Sequence, residues 1–148
     1  MRVIIAGGRD FNNFESLKFE VIRIFKKLKA EGYFTTSNDI TIISGTARGA
    51  DKLGEKFANK YHLKLERFPA DWDRFGKSAG YKRNQQMSTY AKEDNGVLIA
   101  FWNRSSKGTK HMIDIATRDG LRVFVVNYEW NNKISIHRRK KQVGIKAR

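Results

Sequence analysis

The chain has 148 residues, of which 40% are hydrophobic and 30% charged, and it contains no cysteine. This length and composition predict one globular domain and exclude collagen-like and wholly disordered chains, disulfide scaffolds, cysteine nucleophiles and cysteine-based zinc sites. Thirty Lys and Arg residues against fifteen Asp and Glu residues give a net charge of +15, which favours anionic partners such as nucleotides, nucleic acids or anionic surfaces.

The positive charge is partly concentrated at the end of the chain. Six basic residues lie within residues 137–148, and removing them leaves 24 cationic against 15 anionic side chains, a net charge of +9. We therefore expect a domain over residues 1–130 and a basic C-terminal tail over residues 131–148. No apolar run approaches about eighteen residues, so we expect no membrane-spanning helix, no signal peptide and a cytoplasmic location.

Strand and helix patterns alternate along the chain. Short apolar runs indicate buried strands, and apolar residues at helical spacing indicate amphipathic helices. The predicted elements in chain order are strand 1–6, helix 14–31, strand 39–44, helix 50–60, strand 63–68, a loop over 70–79, helix 80–92, strand 96–102, a loop over 103–108, helix 109–119 and strand 121–126. This alternation predicts an α/β fold: a Rossmann-like, doubly wound, five-stranded, mainly parallel sheet with helices on both faces. Beyond residue 127 the pattern decays.

The unusual residues of the sequence follow the predicted strands. In such sheets, ligands bind outside the carboxyl ends of the strands, where the strand order reverses. Glycine, hydroxyl and charged residues occupy the loops at those ends, which are 7–10, 45–51, 69–80 and 103–109. This clustering is the strongest indication of function that the residues alone provide.

The glycine-rich turn 45–49 has the composition of an anion site. Its glycines let the backbone approach a ligand, and the following helix start offers N–H groups and a favourable dipole. Ser44 and Thr46 add hydroxyl groups, and Arg48 adds a charged fork. A tight turn that binds nothing, with Asp51 complementing the helix start, explains the same residues equally well.

Two other loops offer matching groups. Lys107, Gly108 and Thr109 follow the fourth strand and are expected to face the same crevice. After the first strand, Arg9 is expected to hold phosphate and Asp10 a ribose hydroxyl. An internal ion pair between Arg9 and Asp10 is the alternative.

The third loop and the histidines are harder to interpret. Trp72 is placed to stack on a base, although packing against the core is the commoner fate of tryptophan. Arg83 lies near the start of the third long helix, where it either points into the crevice or lies on the surface. The histidines have no metal-ligand spacing, so we predict no metal site. We expect His62 and His137 at the surface, whereas His111 lies near the site and its role stays open.

Five motifs make the chain resemble the SLOG superfamily, and within it the small group related to YspA and YpsA. The resemblance covers about residues 1–127, and its motifs are GGRDF (7–11), SGTARGAD (44–51), PADW (69–72), AGYKRN (79–84) and KGTKHM (107–112). It implies a Rossmann-like fold and a nucleotide or nucleotide-derived ligand, alone or with Mg²⁺. The superfamily also includes the Lonely Guy phosphoribohydrolases and the DNA-processing protein DprA, to which the chain is distantly similar.

The Lonely Guy motifs are only partly present. Arg83 begins a segment similar to R-K-x-x-M, and Gly108 and Thr109 match part of G-G-x-G-T-x-x-E. Met112 stands where the resemblance places the catalytic glutamate, and a methionine neither stabilises an oxocarbenium-like transition state nor transfers a proton. The phosphate-binding half of the motif is therefore present and the catalytic half is not. The carboxylates that remain as substitutes are Asp10, Asp51, Asp71 and Asp114.

We expect a nucleotide-ligand binding protein that acts as a sensor, carrier or sequestering module. Its predicted ligand-binding residues are Gly7, Gly8, Arg9, Asp10, Ser44, Gly45, Thr46, Arg48, Gly49, Asp51, Trp72, Arg83, Asn84, Lys107, Gly108 and Thr109. One alternative is a nucleotide hydrolase that cleaves an N-glycosidic or phosphate-linked bond, with Asp10, Arg83 and Asp114 as catalytic candidates. Another is a nucleic-acid binding protein that uses the basic surface and tail nonspecifically. Expected partners are a nucleotide-derived small molecule, nonspecific nucleic acid and a second copy of the chain, but no membrane.

Overall fold

The computed structural model describes residues 1–135. The predictions for His137 and for nucleic-acid contact through the basic end of the tail concern residues outside this range. The strands are β1 (Arg2–Gly7), β2 (Thr41–Ser44), β3 (Lys64–Arg67), β4 (Gly96–Trp102) and β5 (Arg122–Asn127). The α-helices are α1 (Phe14–Ala30), α2 (Ala50–Lys60), α3 (Trp72–Phe75), α4 (Ala79–Lys92) and α5 (Lys107–Arg118).

The five strands form one sheet in the order β3-β2-β1-β4-β5, and every neighbouring pair is parallel. The predicted α/β, Rossmann-like fold is therefore confirmed, and the sheet is wholly rather than mainly parallel. β1 lies at the centre, and the chain order reverses between β1 and β4. In sheets of this kind the crevice at the reversal point is the usual ligand site.

Each face of the sheet is covered by its own pair of long helices. Successive side chains of a strand point to opposite faces, so Val3 and Ile5 pack with α1 and α2, whereas Ile4 packs with α4 and α5. Burial on both faces explains why β1 and β4 are almost continuous apolar runs. Within residues 1–135, no helix combines the length and the apolar composition needed to cross a bilayer.

The segment 70–79, predicted as a loop, contains α3 and a 3₁₀ turn at Gly76–Ser78. The Asp71 carboxylate caps α3 by accepting a hydrogen bond from the Arg74 N–H at 3.1 Å. The prediction was wrong because a single helical turn contains too few residues to show an apolar periodicity.

Helix α5 begins at Lys107, two residues before the predicted start at Thr109. Ser106 is its N-cap, because the Ser106 Oγ accepts a hydrogen bond from the Thr109 N–H at 3.3 Å. This shift moves Lys107 and Gly108 from a loop into the first turn of a helix. Strand β2 likewise starts later than predicted, because the Asp39 carboxylate closes a 3₁₀ turn just before it.

Residues 128–135 pack against the domain although the sequence pattern decays there. Tyr128 is 1% exposed and forms an antiparallel bridge with Ile134. The Asn132 Oδ1 accepts a hydrogen bond from the Asn12 N–H at 2.6 Å, which ties this segment to the loop after β1. The packed structure therefore continues into the first residues of the predicted tail.

Candidate functional site

A cavity of about 630 Å³, here called the crevice, lies at the carboxyl ends of β1 and β4. Its wall combines residues from the loops after β1, β2 and β4 with residues of α3, α4 and α5. The predicted ligand-binding residues in this wall are Gly7, Gly8, Arg9, Asp10, Arg48, Asp51, Trp72, Arg83, Asn84, Gly108 and Thr109. A cavity of this volume is in the range of small-molecule and cofactor sites.

A second cavity of about 420 Å³, here called the recess, adjoins the crevice. Gly45 and Thr46 line it from the loop after β2, and Pro69 and Ala70 line it from the segment after β3. The residues that line both cavities are Arg9, Ala47, Arg48, Trp72 and Arg83. Gly45 and Thr46 therefore face a different part of the site from the loop after β4.

Glycines bring the loops after β1 and β2 into backbone contact. The Ala50 N–H donates a hydrogen bond to the Gly8 carbonyl oxygen at 3.1 Å. A Cβ atom on Gly49 would overlap that same oxygen, and Gly49 has a φ of 83°, which favours glycine. Gly49 therefore serves the packing of the two loops, and the structure does not place it in either cavity wall.

Ser44 supports the loop after β2 from below. It is fully buried, donates a hydrogen bond to Glu55 Oε2 at 2.7 Å and accepts one from the Thr46 N–H at 3.0 Å. Burial opposes ionisation of Glu55, but hydrogen bonds from Ser44 and Arg67 outweigh it, so the pKa of Glu55 lies below its ordinary value. Ser44 thus binds protein groups and lines neither cavity. Sequence analysis did not single out Glu55.

Thr46 adopts an unusual backbone conformation, with a φ of 67°. This region is rarely populated by β-branched residues, and such outliers persist where the surrounding structure fixes them. Two hydrogen bonds fix the turn here, one from the Thr46 N–H to Ser44 and one from the Ala47 N–H to Asp51 Oδ2 at 3.1 Å. Outliers of this kind cluster at ligand sites.

Asp51 and Arg83 hold residues 45–47 from two sides. Arg83 donates a hydrogen bond to the Gly45 carbonyl oxygen, while Asp51 accepts one from the Ala47 N–H. Burial raises the pKa of Asp51 to about 6, although the hydrogen bond from Ala47 and the Arg83 charge lower it. Burial also lowers the pKa of Arg83, and Asp51 opposes this change. The crevice therefore contains a buried carboxyl group that gains or loses its proton slightly below neutral pH.

Unpaired cations face the crevice. Arg9 and Arg48 are exposed in its wall, and neither forms an ion pair within residues 1–135. Asp10, the neighbour of Arg9, instead accepts a hydrogen bond from the Tyr128 hydroxyl at 2.5 Å. The predicted alternative of an Arg9–Asp10 ion pair is therefore wrong. The arginines remain available to an anionic ligand.

Trp72 and Tyr81 give the crevice two half-exposed aromatic rings, with 52% and 47% of their surfaces accessible. Tyr81 stacks on His111, with ring centroids 4.2 Å apart, and burial lowers the pKa of His111. Asn84 Nδ2 lies 3.1 Å from His111 Nδ1 and donates to the Gly108 carbonyl oxygen at 3.4 Å. Asn84 and His111 therefore connect α4 to the start of α5.

The start of α5 is organised by its own side chains. Asn103 Oδ1 accepts hydrogen bonds from the N–H groups of Ser105 and Ser106 at 2.8 and 2.9 Å, and Ser106 caps the helix. Gly108 is open: a Cβ atom there would have no heavy atom within 4 Å. The positive end of the helix dipole thus reaches the crevice next to an unobstructed surface.

The model of the YspA, cpYpsA-related SLOG family matches residues 1–75, which include the loops after β1 and β2. The chain belongs to this family. The Gene 61 protein of Mycobacterium phage D29 is similar to this SLOG chain, with 32% identity over 89 residues that cover 57% of the chain and 69% of that protein. No solved structure matches the chain. SLOG membership confirms the resemblance and suggests a nucleotide-related ligand-binding or processing role.

Not every candidate residue of this SLOG chain reaches the site. Lys107 is exposed and lines neither cavity, and Asp114 forms an ion pair with Lys110 at 2.8 Å outside both walls. Asp71 is occupied as the N-cap of α3. Met112 is 1% exposed and contributes apolar surface to the crevice wall.

Tyr128 is the residue that sequence analysis missed. It packs on Phe11, with ring centroids 4.7 Å apart, and its hydroxyl group holds Asp10. Burial raises the pKa of Tyr128, and the hydrogen bond to Asp10 raises it further, so the phenol stays protonated at physiological pH. No signal in the sequence separates Tyr128 from the polar segment that follows it.

Proposed function

We propose that the protein binds a nucleotide or nucleotide-derived ligand in the crevice, as a sensor, carrier or sequestering module. One observation carries this proposal: unpaired Arg9 and Arg48, the backbone at Gly8 and the start of α5 converge on one nucleotide-sized cavity. These groups come from loops that are distant in sequence, and all of them favour a negatively charged ligand.

The chemistry of the wall divides naturally between the parts of a nucleotide. Helix N-termini and arginine side chains are the groups that proteins use most often to bind phosphate. Trp72 and Tyr81 offer ring faces to a base. Asp10 offers a carboxylate oxygen to a hydroxyl group, because only one of its oxygens binds Tyr128.

Calorimetric titration with AMP at moderate salt concentration tests the proposal, using Gly108→Asp and the matched control Gly108→Ala. Both side chains enter open space, so both variants should fold like the wild type. The aspartate places a negative charge at the helix start, and we expect it to weaken AMP binding at least roughly tenfold. The alanine variant should bind within about twofold of the wild type.

Two results would contradict the proposal. The first is that the wild-type protein binds neither AMP nor any larger nucleotide. The second is that Gly108→Asp binds as tightly as Gly108→Ala, because the ligand would then lie elsewhere on the protein.

A hydrolase is the second candidate, and Asp51 is the observation that favours it. A buried carboxyl group with a pKa of about 6 in a crevice wall has the properties of a general acid. In such an enzyme Asp51 would protonate the leaving group of an N-glycosidic bond, the role that Met112 is unable to fill.

Chromatographic detection of products separates an enzyme from a binding protein. If Asp51 is the acid, Asp51→Asn should abolish product formation and retain nucleotide binding. The absence of turnover by the wild type with nucleoside monophosphates and with NAD-like dinucleotides would eliminate this candidate.

A further inference from the structure

The crevice and the recess meet along a wall of arginines. Arg9, Arg48 and Arg83 line both cavities, and so does the half-exposed ring of Trp72. A mononucleotide held at the start of α5 would occupy the crevice and leave the recess of about 420 Å³ empty. A ligand with two lobes and a charged link would use both cavities and the wall between them.

The charges at this boundary match a diphosphate. The crevice wall contains four cations, Arg9, Arg48, Lys77 and Arg83, and two carboxyl groups, Asp10 and Asp51. With both carboxyl groups ionised, two positive charges remain without compensation. A diphosphate diester carries one negative charge on each phosphate. Because three of the cations line both cavities, the charges are positioned for a link between two lobes.

The two lobes differ in chemistry. The crevice offers the ring faces of Trp72 and Tyr81, which suit a nucleobase. The recess has no charged residue of its own: apart from the shared residues, its wall consists of Gly45, Thr46, Pro69 and Ala70. A small cavity with one hydroxyl group and exposed backbone suits a neutral, hydroxyl-rich group such as a sugar.

We propose that the ligand is a nucleoside diphosphate joined to a second sugar, with the nucleoside in the crevice, the diphosphate on the shared arginines and the sugar in the recess. This inference rests on the proposed function and specifies its ligand class. It assigns the recess, which that function does not need, to the recognition of the second sugar.

A ladder of three ligands tests the inference on the full-length wild-type protein. AMP, ADP and ADP-ribose share their nucleoside and add, in turn, a second phosphate and a second sugar. We expect calorimetry to give the tightest binding for ADP-ribose, roughly tenfold tighter than for ADP, because only ADP-ribose reaches the recess.

The variant Ala70→Trp fills the recess with an indole ring and should remove this advantage. We expect ADP-ribose affinity to fall to that of ADP, while ADP affinity stays within about twofold of the wild type. Gln86→Trp is the matched control, because Gln86 is an exposed residue of α4 that lines neither cavity. If circular dichroism shows that Ala70→Trp is unfolded, the smaller substitution Ala70→Phe makes the same test.

The outcomes separate the two proposals. Equal affinity of the wild type for ADP and ADP-ribose overturns the two-lobed ligand and leaves nucleotide binding in the crevice intact. An ADP-ribose advantage that survives a folded Ala70 variant overturns the assignment of the sugar to the recess. Failure of all three ligands to bind overturns the proposed function itself, and the inference with it.

Discussion

The loops 45–49 and 105–109 are similar in sequence and are held in place in opposite ways. Both connect a parallel strand to a helix, and both combine glycine with hydroxyl residues. The first is held by side chains from elsewhere, since Arg83 binds the Gly45 carbonyl oxygen from α4. The second is held by its own cap, since Ser106 binds the first turn of α5.

This comparison shows that glycine has a different role in each loop. A Cβ atom on Gly45 would come within 2.6 Å of Arg83, and one on Gly49 would overlap the backbone of the loop after β1. A Cβ atom on Gly108 would meet nothing within 4 Å. The first loop is thus part of the packed structure, whereas the second presents an open surface to a ligand.

The largest expected effect comes from replacing the glycine at the contact between loops. Gly49→Ala should lower the free energy of unfolding by at least about 3 kcal/mol, because alanine at a φ of 83° also meets the Gly8 carbonyl oxygen. Gly108→Ala should change it by no more than about 1 kcal/mol. Urea denaturation measures both, and equal stability of the two variants would remove the distinction between the loops.

Asp51 makes the first loop sensitive to pH. Its pKa is raised to about 6 in the folded protein, so between about pH 4 and pH 6 the carboxyl group ionises more readily in the unfolded chain. The wild type should therefore lose roughly 2–3 kcal/mol relative to Asp51→Asn as pH rises through this window, and nothing further above it. Denaturation at pH 4, 5, 6 and 7 measures this. A stability difference that does not change with pH would show that Asp51 ionises normally.

The smallest effect is expected at the cap of the second loop. Ser106→Ala removes the acceptor of the Thr109 N–H and should cost about 1 kcal/mol of stability. Ser106→Asp should restore the cap, because aspartate is a good N-cap residue, and it also places a negative charge beside the crevice. A loss of more than about 3 kcal/mol in Ser106→Ala would mean that this loop, like the first, depends on the packed core.

The order of the long elements was predictable because their signals are local. Helix α2 and strand β4 have the predicted bounds, since α2 has an apolar stripe and β4 is a continuous apolar run bounded by polar residues. Helix α3 and the true start of α5 were not found, because their ends depend on single capping side chains, Asp71 and Ser106. Caps of this kind are weak signals against a background of many serines and aspartates.

The candidate site was predictable as a set of loops but not as a set of contacts. Parallel strands bring their carboxyl ends to one edge, so the clustering of Arg9, Arg48 and Gly108 follows from the strand pattern alone. The sequence assigned the same role to Ser44, which is fully buried and bonded to Glu55. A sequence does not show on which side of a loop a side chain lies.

The sequence by itself determined the alternation of strands and helices, the two-sided burial of the sheet and the family, because these depend on the local pattern of apolar residues and on short motifs. Only the tertiary structure decided which groups are free to bind. Tyr128 holds Asp10, Arg83 holds Gly45, and Arg9 and Arg48 have no ion-pair partner within residues 1–135. The availability of a charged group depends on neighbours that are up to 118 residues away in the chain, and only folding brings them together.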